Sequence, residues 1–334
     1  MSVSLSVVVI GKNEDAYLAR CLRSVAAAVE QVGGAEVVYV DSASTDRTVE
    51  IARSFGIRVL SLKPEWKLSP AAGRFVGFHY TSGELVLFVD ADTVVEQDFL
   101  RHAIPWFQQS QVAGIAGHLA DVDEGGQPLP WVGERSAHTQ DVAWLRGGCS
   151  LYRRSAMDQA GTFNPHLTVE EEAELALRLR RCGGRLLQIP HPVGCHLRGT
   201  VATDHIVRLW RHGRILGTGR TLRYACRAGN GTRFLYERFR WTLMFAVWLI
   251  VFCLGGILLM VGEEELAAAV ALLLTAWLTA VAVKKRDLFG PLNYVALHGS
   301  FFVGLLAGAV ITRVRDPQDY PFNVVEGRHT HEVR

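Results

Sequence analysis

The chain opens with Leu5 to Ile10, apolar at every position but Ser6, and then turns polar at Gly11-Lys12-Asn13-Glu14. Similar short runs recur at Val37-Val38-Tyr39-Val40, Arg58-Val59-Leu60 and Leu85-Val86-Leu87-Phe88-Val89. Their length and β-branched content predict strands buried on both faces. Between them the apolar period lengthens to that of helices. One helix runs from about Ala16 to Val29; a second, capped by Thr45, passes through Val49, Ile51 and Phe55 and closes at Gly56; a third opens at Ser69-Pro70. This alternation predicts an α/β unit over residues 1–204, a mainly parallel, Rossmann-like sheet with helices on both faces.

Beyond residue 240 the pattern changes. No charged residue occurs from Trp241 to Gly262, and 22 residues at about 1.5 Å each rise roughly 33 Å, enough to cross a hydrocarbon core. Leu266 to Val283 is a second uncharged run, set between Glu263-Glu264-Glu265 and Lys284-Lys285-Arg286. Basic flanks mark the cytoplasmic side, so the pair reads as a hairpin with both outer ends in the cytosol. A third run, Leu288 to Ile311, is interrupted by Gly290-Pro291 and carries Asn293, His298 and Ser300. A full crossing there would place Arg313 and Arg315 outside, against the positive-inside bias. It reads either as a third span or as a re-entrant or interfacial helix.

Composition sharpens this picture. Hydrophobic residues make up 49% of 334 and the mean hydropathy is +0.16, an excess concentrated in the C-terminal third. Met1 to Ile10 lacks the pattern of a signal peptide, so the α/β unit is expected in the cytosol, where six scattered cysteines with no Cys-x-x-Cys spacing also belong. Nine arginines fall between His205 and Arg240, interleaved with apolar and aromatic side chains, with Glu237 the only acid. Direct continuation into a membrane helix favours an anionic lipid surface over nucleic acid as their partner. The expected organisation is therefore 1–204 catalytic, 205–240 interfacial, 241–312 transmembrane and 313–334 a tail.

Candidate chemistry gathers where the strands end. Asp90 and Asp92 close the fourth strand two residues apart, on one side of an extended chain, as a pair that shares a divalent ion or as two solvated acids. Asn13 and Glu14 follow the first strand and Asp41 the second; Asp41 either caps the turn Ser42 to Thr45 or touches a ligand. Carboxyl ends of open parallel sheets bind ligands. A helix beginning near Glu170-Glu171-Glu172 places Glu172 within the stripe of Leu175, Ala176, Leu179 and Cys182, with Glu174, Arg178 and Arg181 opposite and pairing in solvent. An inward carboxylate at a helix start is costly without partners or work, which selects Glu172 as a general base. His196 returns to the same sheet edge, as a structural imidazole or a third metal ligand.

These residues resemble family 2 glycosyltransferases, enzymes of the GT-A fold that use nucleotide-sugar donors. The likeness covers roughly Leu5 to Arg198: Val8 to Glu14 resembles the opening strand and Asn-Glu turn, Val37 to Thr48 the nucleoside-binding segment, and Asp90-Ala91-Asp92 the metal-binding Asp-x-Asp. Trp144 to Cys149 resembles the acceptor-side loop, with Gly147 and Gly148 in it, and Glu171-Glu172 resembles the Glu-Asp segment whose second acid is the base. The resemblance implies that Asn13, Glu14, Asp41, Arg74 and Asp90 meet the donor nucleotide, that Asp90, Asp92 and His196 hold Mn2+ or Mg2+, and that Glu171 lies on the acceptor side. One base, Glu172, and no enzymic nucleophile imply inversion, and the membrane hairpin with its arginine-rich belt suggests a polyprenyl phosphate or a polyprenyl-diphosphate-linked glycan as acceptor at the cytoplasmic face of a membrane, in cell-surface or exopolysaccharide assembly. Two departures stand out: Glu172 replaces the usual Asp, and no Gln-x-x-Arg-Trp segment follows, which argues against a processive synthase. Rival readings are a catalytically inactive sugar-nucleotide-binding assembly factor and a haloacid-dehalogenase-type phosphatase with Asp90 as nucleophile.

Overall fold

β1 (Leu5–Gly11) sends Val7 and Val9 into one apolar layer and Val8 and Ile10 into another, so the strand is covered from both sides. In the computed structural model, which describes residues 3–123, 127, 129, 137–197, 207, 209–285, 290–322 and 326–327, the chain divides into two units. Residues 1–200 with 314–334 form the first and residues 201–313 the second.

In the first unit β1 pairs in parallel with β2 (Glu36–Asp41) and with β4 (Leu85–Asp90), and β2 pairs with β3 (Arg58–Ser61). Helices α1 (Leu18–Glu30) and α2 (Thr48–Ser54) cover one face, and α3 (Pro70–His79) covers the other, with Ser69 Oγ accepting the Ala72 N–H as its cap. Thr45 does not cap α2. Its N–H donates to Asn13 Oδ1, and the helix starts at Thr48, whose N–H donates to Asp46 Oδ1.

Beyond β4 the sheet is mixed. β5 (Thr93–Val95) leads through α4 (Phe99–Ala103) to β6 (Val112–Asp121), and β7 (Gln140–Asp141) precedes β8 (Cys149–Arg153). After α5 (Arg154–Ala160) and α6 (Glu171–Arg181) comes β9 (Arg185–His196), seven residues longer than its apolar core Arg185 to Ile189 suggests. β8 runs antiparallel between β4 and β6, β9 lies parallel to β6, and β5 and β7 lie antiparallel to β9. The C-terminal segment returns to this unit. Tyr320 is buried against Phe75 and Trp66 and donates to Lys67 O, and β10 (Glu326–Gly327) pairs with β3.

In the second unit α7 (Gly217–Arg227) and the first turns of α8 (Gly231–Met260) carry most of the arginines between 205 and 240; His205, Ile206 and Arg208 lie outside the described residues. α8 bends at Phe239 (φ −124°, ψ 17°), separating this basic stretch from the uncharged one. With α9 (Glu264–Lys285) and α10 (Gly290–Ile311), three helices among the described residues are long and apolar enough to cross a membrane.

Candidate active site

Backbone pairing fixes the turn that carries Asp90 and Asp92. Ala91 N–H donates to Ile10 O and Asp90 N–H to Gly148 O, both at 2.8 Å, while Leu197 N–H donates to Asp92 O at 2.8 Å. The approach is tight: a Cβ at Gly11 would collide with Ala91 and the Tyr39 hydroxyl, and Gly148 sits at φ +101°. The sheet register then adds two residues. Thr93 faces His196 across β5 and β9, and Asp121 faces the same histidine across β6 and β9.

His196 consequently lies between two carboxylates, Nε2 at 3.1 Å from Asp92 Oδ2 and Nδ1 at 3.3 Å from Asp121 Oδ1. Burial by itself would lower its pKa, but hydrogen bonds to Asp121 and Asp92 prevail and hold it at about 10. Both ring nitrogens therefore donate. Asp121 is held below the ordinary carboxylate range, chiefly by the His196 hydrogen bond and also by Arg146 Nη2. Neither Asp121 nor a role for Arg146 was read from the sequence, although Asp121 ends the apolar run from Val112 just as Asp41 and Asp90 end theirs.

Arg74 organises the other half of the site. Projected from α3, its guanidinium donates to Asp90 Oδ1 (2.9 Å), Glu171 Oε1 (3.3 Å) and Glu172 Oε1 (2.8 Å), and its side chain is 4% exposed. Three carboxylates share one guanidinium, which leaves the cluster rich in negative charge. Glu172 is 20% exposed and Glu171 only 6%. Gly147 is the close neighbour of Glu172, since a Cβ there would strike Glu172 Oε1.

The helical-wheel expectation for α6 is corrected in three respects. Glu172, expected on the inward stripe, is the least buried residue from Glu171 to Leu179, at 20% side-chain exposure. Glu174 is not in solvent: it is 1% exposed and pairs with Arg178 at 2.8 Å, and Arg178 also donates to the carbonyls of Ala160, Gly161 and Thr162. Cys182 is exposed rather than part of the stripe. From Glu171 to Leu179 every residue but Glu172 is buried, so the face that the wheel assigned to solvent is covered and the position that it placed inward is the one left part-exposed. Glu174→Gln is accordingly expected to cost about 3 kcal/mol of stability, the scale of breaking a buried pair, with thermal denaturation as the readout. An unchanged melting temperature would contradict the assignment.

The nucleotide-side candidates form one rim. Asn13 N–H donates to Ser44 Oγ, Glu14 N–H to Thr48 Oγ1 and Asp15 N–H to Asp46 Oδ2, joining the loops after β1 and β2. Asp41 is buried and accepts from Ser44 N–H and Oγ, so it caps its turn. Asn13 itself stands at φ 55°. Among the described residues no three His, Cys, Asp or Glu side chains converge as a ready metal-ligand group.

Known proteins resemble this chain in sequence and in fold. A family model for glycosyl transferase family 2 matches residues 6–167. Beta-monoglucosyldiacylglycerol synthase of Nostoc sp. is 28% identical over 191 residues, 52% of this chain and 41% of that protein, so the chain spans about two fifths of that relative. 4,4'-diaponeurosporenoate glycosyltransferase of Staphylococcus haemolyticus is 30% identical over 105 residues, 30% of this chain and 27% of that protein. In fold, the chain is similar to the mannosyltransferase PcManGT from Pyrobaculum calidifontis, solved with GDP-Man and Mn2+, at a TM-score of 0.63 and 18% identity over 94% of this chain and 89% of that one. The phosphatase reading of Asp90 is set aside by these matches. Residues 6–167 thus form a glycosyl transferase family 2 domain, which lies within a GT-A fold.

Proposed function

We propose that the protein is an inverting, membrane-bound glycosyltransferase that moves a sugar from a nucleotide-sugar donor to a lipid or lipid-linked acceptor at the cytoplasmic face. The observation that carries this reading is the single cluster in which Arg74 ties Asp90, at the end of β4, to Glu172, at the start of α6. It puts a carboxylate of the donor side and a candidate base within one guanidinium's reach.

In this reading the rim of Asn13, Glu14 and Asp41 holds the nucleoside. Glu172, on the open side of Arg74 and beside Gly147, takes the proton of the acceptor hydroxyl as it attacks the anomeric carbon. Glu171 stays sealed against Arg74 and no side chain forms a covalent intermediate, so one displacement inverts the centre. Gly147 and Gly148 belong to the loop on the acceptor side, where Gly147 lets Glu172 approach.

A divalent cation suits the donor set. Two carboxylates at one strand end, within a cluster of surplus negative charge, are hard oxygen ligands, and Mg2+-like ions bind through one or two carboxylates completed by phosphate oxygens. Asp90 and Asp92 would hold the ion, with His196 steadying Asp92, and the ion when bound would supply neutralisation of the departing diphosphate. Two relatives named for a glucosyldiacylglycerol and a diaponeurosporenoate support a lipid acceptor here, and the apolar helices support the membrane.

Titration of the purified chain in detergent with nucleoside diphosphates and Mn2+ tests the donor site. Binding should weaken at least about ten-fold in excess chelator and in Asp92→Ala, the loss of one charge-assisted ligand. Equal affinity in all three conditions would contradict the metal-assisted site.

A further inference from the structure

The described structure of the second unit, together with the return of the C-terminal segment, restricts how the chain meets the bilayer. α8 and α9 are an antiparallel hairpin: Trp248 stacks on Trp277 with centroids 4.8 Å apart, and Gly255 faces Val270. Seven residues along one helix thus match seven back along the other. The same register brings position 284 level with Trp241, so the basic ends of both helices share one depth and Glu263-Glu264-Glu265 occupies the other.

α10 does not extend this hairpin. If it ran back across beside α8, its last turns would approach the Met260 end. Instead Tyr294 OH donates to Trp241 O, His298 Nδ1 lies 3.1 Å from Thr242 Oγ1, and Phe301 packs on Phe239, all near the basic end of α8. The next turns go further in that direction. A Cβ on Gly304 or Gly308 would strike the carbonyls of Ile215 or Leu216, one on Gly219 would strike the backbone of Gly308 and Ala309, and Arg223 donates to the carbonyls of Ala309 and Thr312. The C-terminal half of α10 therefore packs against α7, in the arginine-rich stretch that precedes the uncharged part of α8.

Chain connectivity gives the same answer independently. Four residues after α10 ends, Arg315 O accepts from Asn164 Nδ2, and Tyr320 is buried among residues of the α/β unit. Four extended residues reach about 14 Å and a hydrocarbon core is about 30 Å thick, so the end of α10 cannot lie across the bilayer from that unit. The number of crossings between residues 240 and 314 must be even.

We propose that only α8 and α9 cross, and that α10 lies along the membrane surface on the side of the catalytic unit. Of the six large apolar side chains exposed on α10, Leu292, Val295, Val303, Leu306 and Val310 enter the headgroup boundary, and Ile311, its last residue, lies outside their stripe. At 100° per residue these five fall within one stripe about 80° wide, while Gly304, Leu305 and Gly308 face the protein. Exposed arginines 211, 214 and 227 complete a surface suited to anionic lipid. The proposal rests on the membrane reading of α8 and α9 and not on the identity of the reaction.

Single cysteines test it, introduced as Glu50→Cys, Glu264→Cys and Arg313→Cys in a full-length chain whose Cys182, Cys195, Cys226 and Cys253 are replaced by serine. A membrane-impermeant maleimide is applied to intact cells and to inverted vesicles. The Glu50 and Arg313 positions should label from one side and the Glu264 position from the other. Labelling of Arg313→Cys together with Glu264→Cys would establish a third crossing and overturn the proposal; labelling of all three from one side would show that the hairpin does not cross and overturn it equally. Epitope tags at the two termini of the otherwise unaltered chain repeat the comparison without cysteine replacement. Tags reached from the same side support an even number of crossings, and tags reached from opposite sides refute it.

Discussion

Glu172→Gln lowers turnover by about 10²-fold or more while donor affinity stays within a few-fold, the pattern expected when a general base is removed and the site's shape is kept. The amide keeps an oxygen for Arg74 Nη1, which now donates to Glu172 Oε1 at 2.8 Å, so the three-carboxylate cluster remains assembled. What is lost is the capacity to accept a proton from an acceptor lying over Gly147. Glu171→Gln is the necessary control, because the neighbour lies on the same guanidinium at 3.3 Å but is sealed from solvent. Steady-state kinetics with a nucleotide-binding measurement on each variant separates the two. Turnover of Glu172→Gln within a few-fold of the parent, beside a severe loss at Glu171, would move the base one residue back.

Arg74→Met has the largest expected effect on the fold itself. Removing the guanidinium leaves Asp90, Glu171 and Glu172 facing one another without a counter-charge, and breaking a buried ion pair in this way costs about 3–5 kcal/mol. For a unit of this size that is on the order of a 10 °C fall in melting temperature. Arg74→Lys should recover only part of it, since an ammonium cannot fork towards three carboxylates. Burial depresses the Arg74 pKa, but Asp90, Glu172 and Glu171 raise it further than burial lowers it, so the group stays charged throughout the working range. A melting temperature unchanged by Arg74→Met would mean that the cluster is not held as described.

Much of this was legible in local pattern. The four parallel strands declared themselves as short apolar runs, Ser69-Pro70 marked the start of α3, and Asp90 and Asp92 stood at a strand end. The two uncharged runs gave the hairpin by length and flanking charge alone. What escaped depends on partners distant in sequence. Asp121 reaches His196 only through the register of β6 on β9, seventy-five positions on, and Arg74 meets Glu171 and Glu172 from another helix almost a hundred residues away. The burial of Glu174 could not be read from a wheel, because periodicity separates faces but does not say how many of them are covered. Nor did the C-terminal tail carry any signal of its return: Tyr320 and Phe322 are two aromatics in a polar stretch, and their place against Phe75 is a tertiary fact.

Transfer itself tests the central claim most directly. The purified chain, in bilayers made from a bacterial lipid extract and with Mn2+, is incubated with a panel of nucleotide sugars labelled at the anomeric carbon, and the organic phase is analysed by NMR. The account predicts that label from at least one donor moves into lipid, that its anomeric configuration is inverted, and that Glu172→Gln forms almost none of the product. A chain that binds nucleoside diphosphate tightly and yet transfers no sugar from any donor would contradict it, and would leave a sugar-nucleotide-binding assembly factor in its place.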